Sequence, residues 1–439
     1  MIGVHAVGIL WSFLTALALH EIFAIVGKRA EARLAAVFYT IFSTTYFPKY
    51  VATSINSVMV LFLVLSVILV IEAEKNRSLW RDALAGVILG IAFLFKYQAG
   101  IQCVVFFLFT LPWWVFRRHG FFWEYGWGKW LIRNMVFAVG FLVPFVLQGL
   151  VLWRLGVWQD FYEWSILGSA RYVETGGETI SFWLSFFPRF GSFVLATLVL
   201  WYGVWRSLMQ RTWEAVDGFY FLLWLLFLFT LIPVCLGGRF YAHYFVQLTP
   251  WLSALAAVAL YPQLLSMAKI KFWVMTFCLL SVSVFWLMRV NSEWFYKITG
   301  DDDLALQRQV GEKIRFITKP EDKIFIWGFA DVIHFYSERR SASRFLWSDW
   351  LTGRVPGPVS GRFQEGASQT LVSGMAWQKL FEDFGRNPPD IFVDTSSANI
   401  HQYGRYPLSH YAQLKQYVVQ NFPNRFEING VTVYLRRLP

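Results

Sequence analysis

Long apolar segments recur throughout the first two thirds of the chain, and they constrain its fold more than any other feature. A helix needs about 20 apolar residues to cross a bilayer. The chain is 56% hydrophobic and 15% charged, whereas soluble domains contain about 25% charged residues. The sequence therefore predicts a mainly α, polytopic membrane helix bundle of about ten helices. The predicted helices cover roughly residues 3–26, 34–48, 53–72, 83–95, 98–117, 132–153, 188–206, 217–236, 240–261 and 271–289.

Residues 290–439 differ in character from the rest, because they are mixed and charged and contain no spanning segment. Strand-like runs occur at 323–329 and 390–396, and a helical stretch covers 411–422. The final run, RFEINGVTVYLR, carries Asn-Gly between two alternating apolar segments, which is typical of a type I′ hairpin. We predict a membrane domain at 1–289 and a small soluble α/β domain at 290–439.

Basic residues are distributed unequally between alternate loops. One set of loops carries fourteen Lys and Arg residues and the other carries six, although their total lengths are similar. Because cytoplasmic loops are enriched in Lys and Arg, the richer set is predicted to be cytoplasmic. This orientation places Met1 and the C-terminal domain outside. It also explains the net charge of +11 through cytoplasmic loops and lipid headgroups, without nucleic acid as a partner. The richer set is 28–33, 72–82, 117–133, 206–217 and 263–271; the poorer set is 48–53, 96–98, 154–189 and 237–242.

The apolar run MIGVHAVGILWSFLTALALHE begins almost at residue 1. A signal peptide carries its positive charge before the apolar core, but here the basic residues Lys28, Arg29 and Arg33 follow the core. We therefore interpret the run as a membrane helix that enters from the outside. The simpler expectation is that a preceding helix and its external loop are missing from this chain; an outward-facing start is the alternative.

The longest predicted external loop, 154–189, mixes aromatic, aliphatic and acidic residues. Its stretch from Trp158 to Leu167 is typical of an interfacial helix, with Trp and Tyr at the level of the lipid headgroups. Two interpretations stay open: a plain interfacial connector, or part of a lid over a site at the outer leaflet.

Two predicted external positions carry cations in apolar surroundings. Lys96 lies between two apolar runs, and Arg239 follows a Gly pair and precedes Tyr241, His243 and Tyr244. An ammonium in hydrocarbon is costly unless it faces an anion or an aqueous cavity, and a snorkelling lysine is the alternative. A guanidinium suits phosphate or carboxylate, while the aromatic residues are also typical of an interfacial belt. Together the two cations suggest a site for an anionic lipid headgroup.

Three stretches resemble the bacterial GT-C glycosyltransferases of the protein O-mannosyltransferase and aminoarabinose-transferase type. They are GVILGIAFLFKYQAGI, which is similar to a Gly-rich helix ending in a Lys-containing turn, GGRFYAHYFVQLTPWLSALAA, and KPEDKIFIWGFADVIHFYSERRSASRF in the C-terminal domain. The resemblance implies the transfer of a hexosyl or pentosyl group from a polyprenyl-phosphate donor to a glycan, lipid or protein acceptor outside the membrane. It also implies a location in the bacterial inner membrane.

The resemblance also assigns site residues. Lys96 is expected to bind the carrier phosphate, together with Arg239, and Tyr97, Tyr241, His243 and Tyr244 are expected near the substrate. The resemblance places the family's key acid in a first external loop, which we expect to be missing from this chain together with the helix before it. Asn56 stands where a further acid is common, and an amide cannot act as a base. The catalytic base is therefore unassigned; the 154–189 loop offers Asp160 and Glu163.

Alternative functions remain open at this stage. One is a noncatalytic relative that binds a polyprenyl-phosphate lipid, and another is a transporter or flippase. Paired broken helices in corresponding halves, which would favour a transporter, are not evident in the sequence. A divalent metal is left open as a cofactor, although the sequence has no ligand cluster, and the cysteines Cys103, Cys235 and Cys278 all lie in apolar runs as small packing residues.

Overall fold

The structure is a computed structural model that describes residues 2–45, 54–111, 126–169, 179–209, 218–236, 238, 240–290, 302–353 and 374–437. The chain divides into two compact units, 1–290 and 291–439.

The first unit is a helix bundle, and each of the ten predicted segments contains a helix. Its α-helices are α1 (Ile2–Ile25), α2 (Arg29–Thr45), α3 (Ile55–Asn76), α4 (Leu79–Phe95), α5 (Ile101–Thr110), α6 (Trp127–Arg154), α7 (Trp158–Phe161), α8 (Thr179–Ala196), α9 (Leu198–Met209), α10 (Gly218–Cys235), α11 (Thr249–Ser266) and α12 (Ala268–Val290). The stretch from Trp158 to Leu167, which was predicted to be helical, forms α7 and a π-helical continuation, Tyr162–Leu167.

Four of these helices are long and apolar enough to cross a membrane: Ala6–Ile25, Ile55–Asn76, Trp127–Arg154 and Gly218–Cys235. A fifth span results if α8 and α9, which meet at an angle of 87°, are counted together. The other helices in the described part of the chain are shorter or less apolar. The predicted membrane helix bundle is confirmed, with α2 and α4 short as expected, at 17 residues each.

Several predicted boundaries were wrong because polar residues extend the helices. Helix α3 continues to Asn76 and α4 begins at Leu79, so the predicted loop 72–82 is mostly helical. The predicted helix 188–206 is instead a bent pair that starts at Thr179. Hydropathy marks the apolar part of a helix, but its backbone hydrogen bonds continue into the polar ends.

Glycines bring α4 and α6 into close contact. A Cβ atom at Gly86 would collide with the backbone oxygen of Phe137, and one at Gly140 would collide with the backbone oxygen of Ala83. A Cβ at Gly90 would lie 2.5 Å from the oxygen of Phe141. Small residues at such spacing let the backbones of membrane helices approach closely. The glycines of the GVILG segment therefore fix the position of α4, which ends next to Lys96.

A buried ion cluster joins the ends of α3, α4 and α6. Arg133 donates from Nε and Nη2 to the two carboxylate oxygens of Asp82, at 2.8 and 2.9 Å, and from Nη1 to Glu74. The side chains of Arg133, Asp82 and Glu74 are 8%, 6% and 2% exposed. Glu74 and Asp82 lie in the predicted loop 72–82, and Arg133 was counted among the basic residues of the predicted loop 117–133. Their burial makes them a structural element, because removing one partner of such a pair costs about 3–5 kcal/mol.

The second unit contains a five-stranded sheet in the order β2-β1-β3-β5-β4. Strands β1 and β3 are parallel neighbours, and almost every residue in them is buried, as expected for strands covered on both faces. Its elements are α13 (Asp302–Ile317), β1 (Lys323–Trp327), α14 (Val332–Ser337), β2 (Arg340–Ser341), α15 (Asp349–Thr352), α16 (Gly374–Arg386), β3 (Ile391–Asp394), α17 (Ala412–Asn421), β4 (Asn424–Ile428) and β5 (Val431–Leu435).

The predicted C-terminal hairpin is confirmed. Strands β4 and β5 pair antiparallel, and Asn429 and Gly430 both have positive φ, 48° and 86°. Positive φ at both central residues is the requirement of a type I′ turn. The α/β class predicted for residues 290–439 is likewise observed.

Replacing Gly140 with Ala is expected to destabilise the bundle. The added methyl group would collide with the backbone of α4, and such overpacking costs about 1–3 kcal/mol. The melting temperature of the purified protein in detergent, followed by size exclusion after heating, should fall clearly.

Gly128→Ala on the same helix is the matched control, because a Cβ there meets no atom within 4 Å. Equal melting temperatures for the two variants would contradict the proposed contact between α4 and α6.

Candidate functional site

Lys96 lies at a break between two helices. Helix α4 ends at Phe95, and Lys96 has an extended backbone with φ −159° and ψ 125°. A short 3₁₀ helix, Tyr97–Gly100, follows and leads into α5. The backbone amide of Lys96 still donates to the oxygen of Ala92, at 3.1 Å. The break therefore turns the Lys96 side chain out of the helical path while its backbone remains bonded.

The side chain of Lys96 contacts two residues from distant parts of the sequence. Its Nζ atom donates a hydrogen bond to Oδ1 of Asn56, at 2.9 Å, and lies 4.0 Å from the centroid of the Tyr244 ring. Asn56 and Tyr244 are 3% and 7% exposed. A cation over an aromatic face is stabilised by about 0.5–2 kcal/mol, more when desolvated. The structure thus brings together Lys96, Asn56 and Tyr244, which the sequence indicates as candidate site residues in separate segments.

Aromatic residues of the segment before α11 extend this group. Tyr241 stacks on His243 with 5.4 Å between ring centroids, and His243 meets Tyr244 edge to face at 4.8 Å. A 3₁₀ helix, Ala242–Gln247, holds these rings. Lys96, Asn56, Tyr241, His243 and Tyr244 are hereafter called the lysine cluster.

Lys96 makes no ion pair with any residue that the structure describes. Its partners are a neutral amide and a neutral ring, so its charge is only partly compensated. Asn56 lies in the first turn of α3, whose N-cap is Ser54. A helix N-terminus carries a partial positive charge. Both features make the position favourable for an anion.

Two glutamines that sequence analysis missed hold the break in place. Gln98 donates to the backbone oxygen of Pro233 in α10, at 3.0 Å. Gln102 donates to the backbone oxygen of Leu63 and to Oγ of Ser66, both in α3, at 2.9 and 2.8 Å. In the sequence, the two glutamines stand out only as amides next to or within an apolar run: Gln98 in KYQAG and Gln102 in AGIQCVVFF. Their partners could not be predicted, because they are mostly backbone atoms of distant helices.

The remaining predicted site residues are outside the lysine cluster as defined. Tyr97 follows Lys96 directly, and its ring packs against Phe93, with 5.2 Å between ring centroids. Asp160 and Glu163 are in the helix Trp158–Leu167. Arg239 lies outside the described residues; next to it, Gly238 and Phe240 have positive φ, 61° and 46°.

Metal binding finds no support in the described ranges, where no three His, Cys, Asp or Glu residues are grouped to hold an ion.

Comparisons with known proteins agree with the predicted resemblance. Residues 1–126 match the family model of dolichyl-phosphate-mannose-protein mannosyltransferases. No curated protein matches the sequence. Two crystal structures of ArnT from Cupriavidus metallidurans are similar over 99% of this chain, at 13% identity.

The apo ArnT structure gives a TM-score of 0.54 with 83% of ArnT covered, and the structure bound to undecaprenyl phosphate gives 0.57 with 84% covered. Because the sequence identity is only 13%, the structural similarity to ArnT establishes the fold alone. The chain therefore has the fold of ArnT, and its predicted resemblance to the GT-C glycosyltransferases is confirmed.

Proposed function

We propose that this chain is a membrane glycosyltransferase that uses a polyprenyl-phosphate-linked sugar, and that Lys96 binds the phosphate of the carrier. The observation that carries the proposal is the incompletely compensated ammonium of Lys96, held between Asn56 and Tyr244. The family match over residues 1–126 and the fold of ArnT, one structure of which contains undecaprenyl phosphate, support the same ligand class.

The chemistry of the transfer explains why a cation is needed. The acceptor hydroxyl attacks the anomeric carbon, the bond from that carbon to the phosphate oxygen breaks, and the polyprenyl phosphate leaves with the electron pair. The hydroxyl proton passes to a base. A fixed ammonium in a site with little water stabilises the charge that develops on the leaving phosphate. Lys96 has this role in the proposal, and the base has no residue assigned to it.

The hydrogen bond from Lys96 to Asn56 keeps the ammonium available. A carboxylate at position 56 would form an ion pair with Lys96 and neutralise it, whereas the amide only orients it. The N-terminal end of α3 adds its partial positive charge at the same place. The combination of a buried amide, an ammonium and a helix terminus therefore suits a phosphate better than a sugar hydroxyl.

The orientation inferred from loop charges fits this proposal. It places the lysine cluster and the C-terminal unit on the external side of the bacterial inner membrane. We infer that transfer takes place there, to an acceptor that is a glycan, a lipid or a protein hydroxyl. Arg239 is proposed as a second phosphate ligand, since it precedes the ring segment Tyr241–Tyr244 in sequence.

A second candidate function is a noncatalytic protein that binds polyprenyl phosphate. Asn56 favours it, because this amide takes the place of a common acid and occupies its oxygen with Lys96. The two functions share the phosphate site and differ only in turnover. Release of sugar from a polyprenyl-phosphate donor by the purified protein supports transfer, and binding without any release supports the second function.

Lys96→Ala is expected to weaken the binding of undecaprenyl phosphate by about 10- to 100-fold, because a hydrogen bond to a charged group contributes about 1.5–3 kcal/mol. Scintillation proximity with radiolabelled lipid and purified protein measures the affinity.

Lys75→Ala is the matched control, since this lysine is exposed and its Nζ atom donates to the backbone oxygen of Ile25, at 3.1 Å. Lys96→Ala protein that binds the lipid as the control does would overturn the phosphate site.

Asn56→Asp is expected to weaken binding of the same lipid by about tenfold or more, or ~1.4 kcal/mol, because the new carboxylate pairs with Lys96 and repels the phosphate. Asn56→Ala, which removes the oxygen without adding charge, should bind the lipid about tenfold more tightly than Asn56→Asp. The same assay compares the variants. Equal affinities for the Asp and Ala variants would contradict the charge argument.

A further inference from the structure

The carboxyl ends of strands β1 and β3 form a topological switch point in the second unit. The chain leaves β1 towards α14 and β2 on one side, and leaves β3 towards α17 and the hairpin on the other. In open α/β sheets, ligands bind where two such loops diverge beyond parallel strands. This edge belongs to the second unit, whereas the lysine cluster belongs to the first.

Five side chains meet at this edge, from the start of α13, the loops after β1 and β3, and the segment before α15. The Phe329 ring lies 5.7 Å from that of Trp347 and 5.6 Å from that of His401. His401 in turn contacts Asp303 and Gln307. Phe329, Trp347 and His401 are all partly exposed. Asp303, Gln307, Phe329, Trp347 and His401 are hereafter called the edge cluster.

Asp303, Gln307 and His401 hold each other in position through hydrogen bonds and a close contact. Oδ2 of Asp303 accepts the backbone amide of His401, at 2.7 Å, and lies 3.3 Å from its Nδ1. The Nε2 atoms of His401 and Gln307 are 3.1 Å apart. If the amide of Gln307 donates, the imidazole is neutral and carries its proton on Nδ1, facing Asp303.

Gln307 gives an independent indication of a ligand. It is 1% exposed, and its Oε1 atom has no hydrogen-bond partner among the described residues. Burying an acceptor without a donor is unfavourable. The other end of the same amide contacts His401, so the unpaired oxygen belongs to the edge cluster. A hydroxyl donor placed there would satisfy it.

The loop that carries His401 has an unusual backbone. Asn399, His401 and Gln402 have φ of 53°, 48° and 66°, in the left-handed region that few non-glycine residues adopt. Such conformations persist only where the surrounding structure enforces them, and they concentrate at ligand sites. The ring of His401, which has this backbone conformation, contacts both Asp303 and Phe329.

We propose that the edge cluster is a binding site for a saccharide ring. The C–H face of a sugar is apolar and packs on aromatic rings such as those of Phe329 and Trp347, whose faces are electron-rich. Its hydroxyl groups both donate and accept, which matches the carboxylate of Asp303, the imidazole of His401 and the unpaired oxygen of Gln307. A phosphate fits poorly, because Asp303 would repel it. The site is independent of the proposed role of Lys96.

Saturation-transfer difference NMR on the full-length protein in lipid nanodiscs tests the proposal, with methyl mannoside, methyl glucoside and N-acetylglucosamine as probes. Transfer to the ring C–H protons of at least one probe is expected. Trp347→Leu removes the aromatic face but keeps an apolar side chain, and His401→Gln keeps a hydrogen-bonding group of different geometry. Both variants should lose the signal, whereas Phe316→Ala, at an exposed aromatic residue of α13 (85% exposed), should keep it.

The absence of transfer to all three probes overturns the proposal, as does an unchanged signal in either Trp347→Leu or His401→Gln. Lys96→Ala separates the two sites: it should leave the saccharide signal unchanged while weakening lipid binding. Loss of the saccharide signal in Lys96→Ala would also overturn the proposal, because the sugar would then bind at the lysine cluster.

Discussion

The ammonium of Lys96 stands at a helix break without a carboxylate to pair with in the described structure, and the neighbouring helices are arranged to hold it there. Asn56 and Tyr244 fix its position through a hydrogen bond of 2.9 Å and a ring contact of 4.0 Å. The glycines of α4 lock that helix against α6, so that the break falls next to the start of α3. Gln98 and Gln102 tie the following turn to α10 and α3. A mobile lysine would bind phosphate more weakly than this fixed one, because its side chain would have to be ordered when the phosphate binds, and that ordering costs free energy.

The cations at the two ends of the α3–α4 pair are compensated to different extents. At one end, Arg133 is surrounded by Asp82 and Glu74 in a buried cluster that satisfies its guanidinium. At the other end, Lys96 receives only an amide oxygen and a ring. The first arrangement joins three helices and leaves no positive charge for a ligand. The second leaves the charge of Lys96 only partly compensated. An anion would complete its stabilisation, and this is the physical basis of the proposed carrier-phosphate site.

Much of this architecture could be predicted from local sequence, and the rest depends on contacts between distant residues. Apolar runs located the helices, Asn429-Gly430 located the hairpin, and the isolated cation Lys96 was recognised because charge is costly in an apolar run. The ion cluster of Glu74, Asp82 and Arg133 could not be recognised, since each charge lies near a helix end where an exposed loop is the ordinary expectation. The edge cluster was also missed, because its members come from distant parts of the sequence. Asp303 at the start of α13 and His401 after β3 are 98 residues apart, and the parallel pairing of β1 and β3 brings the loops of Phe329 and His401 to one edge of the sheet.

The most direct test of the central claim is a structure of the protein, determined by electron cryomicroscopy in lipid nanodiscs, with undecaprenyl phosphate bound. The account predicts a phosphate oxygen at about 2.7–2.9 Å from Nζ of Lys96, the usual distance of a charge-assisted hydrogen bond, near the N-terminal end of α3. A phosphate bound elsewhere, with the hydrogen bond between Lys96 and Asn56 intact and no lipid oxygen near Nζ, would contradict it.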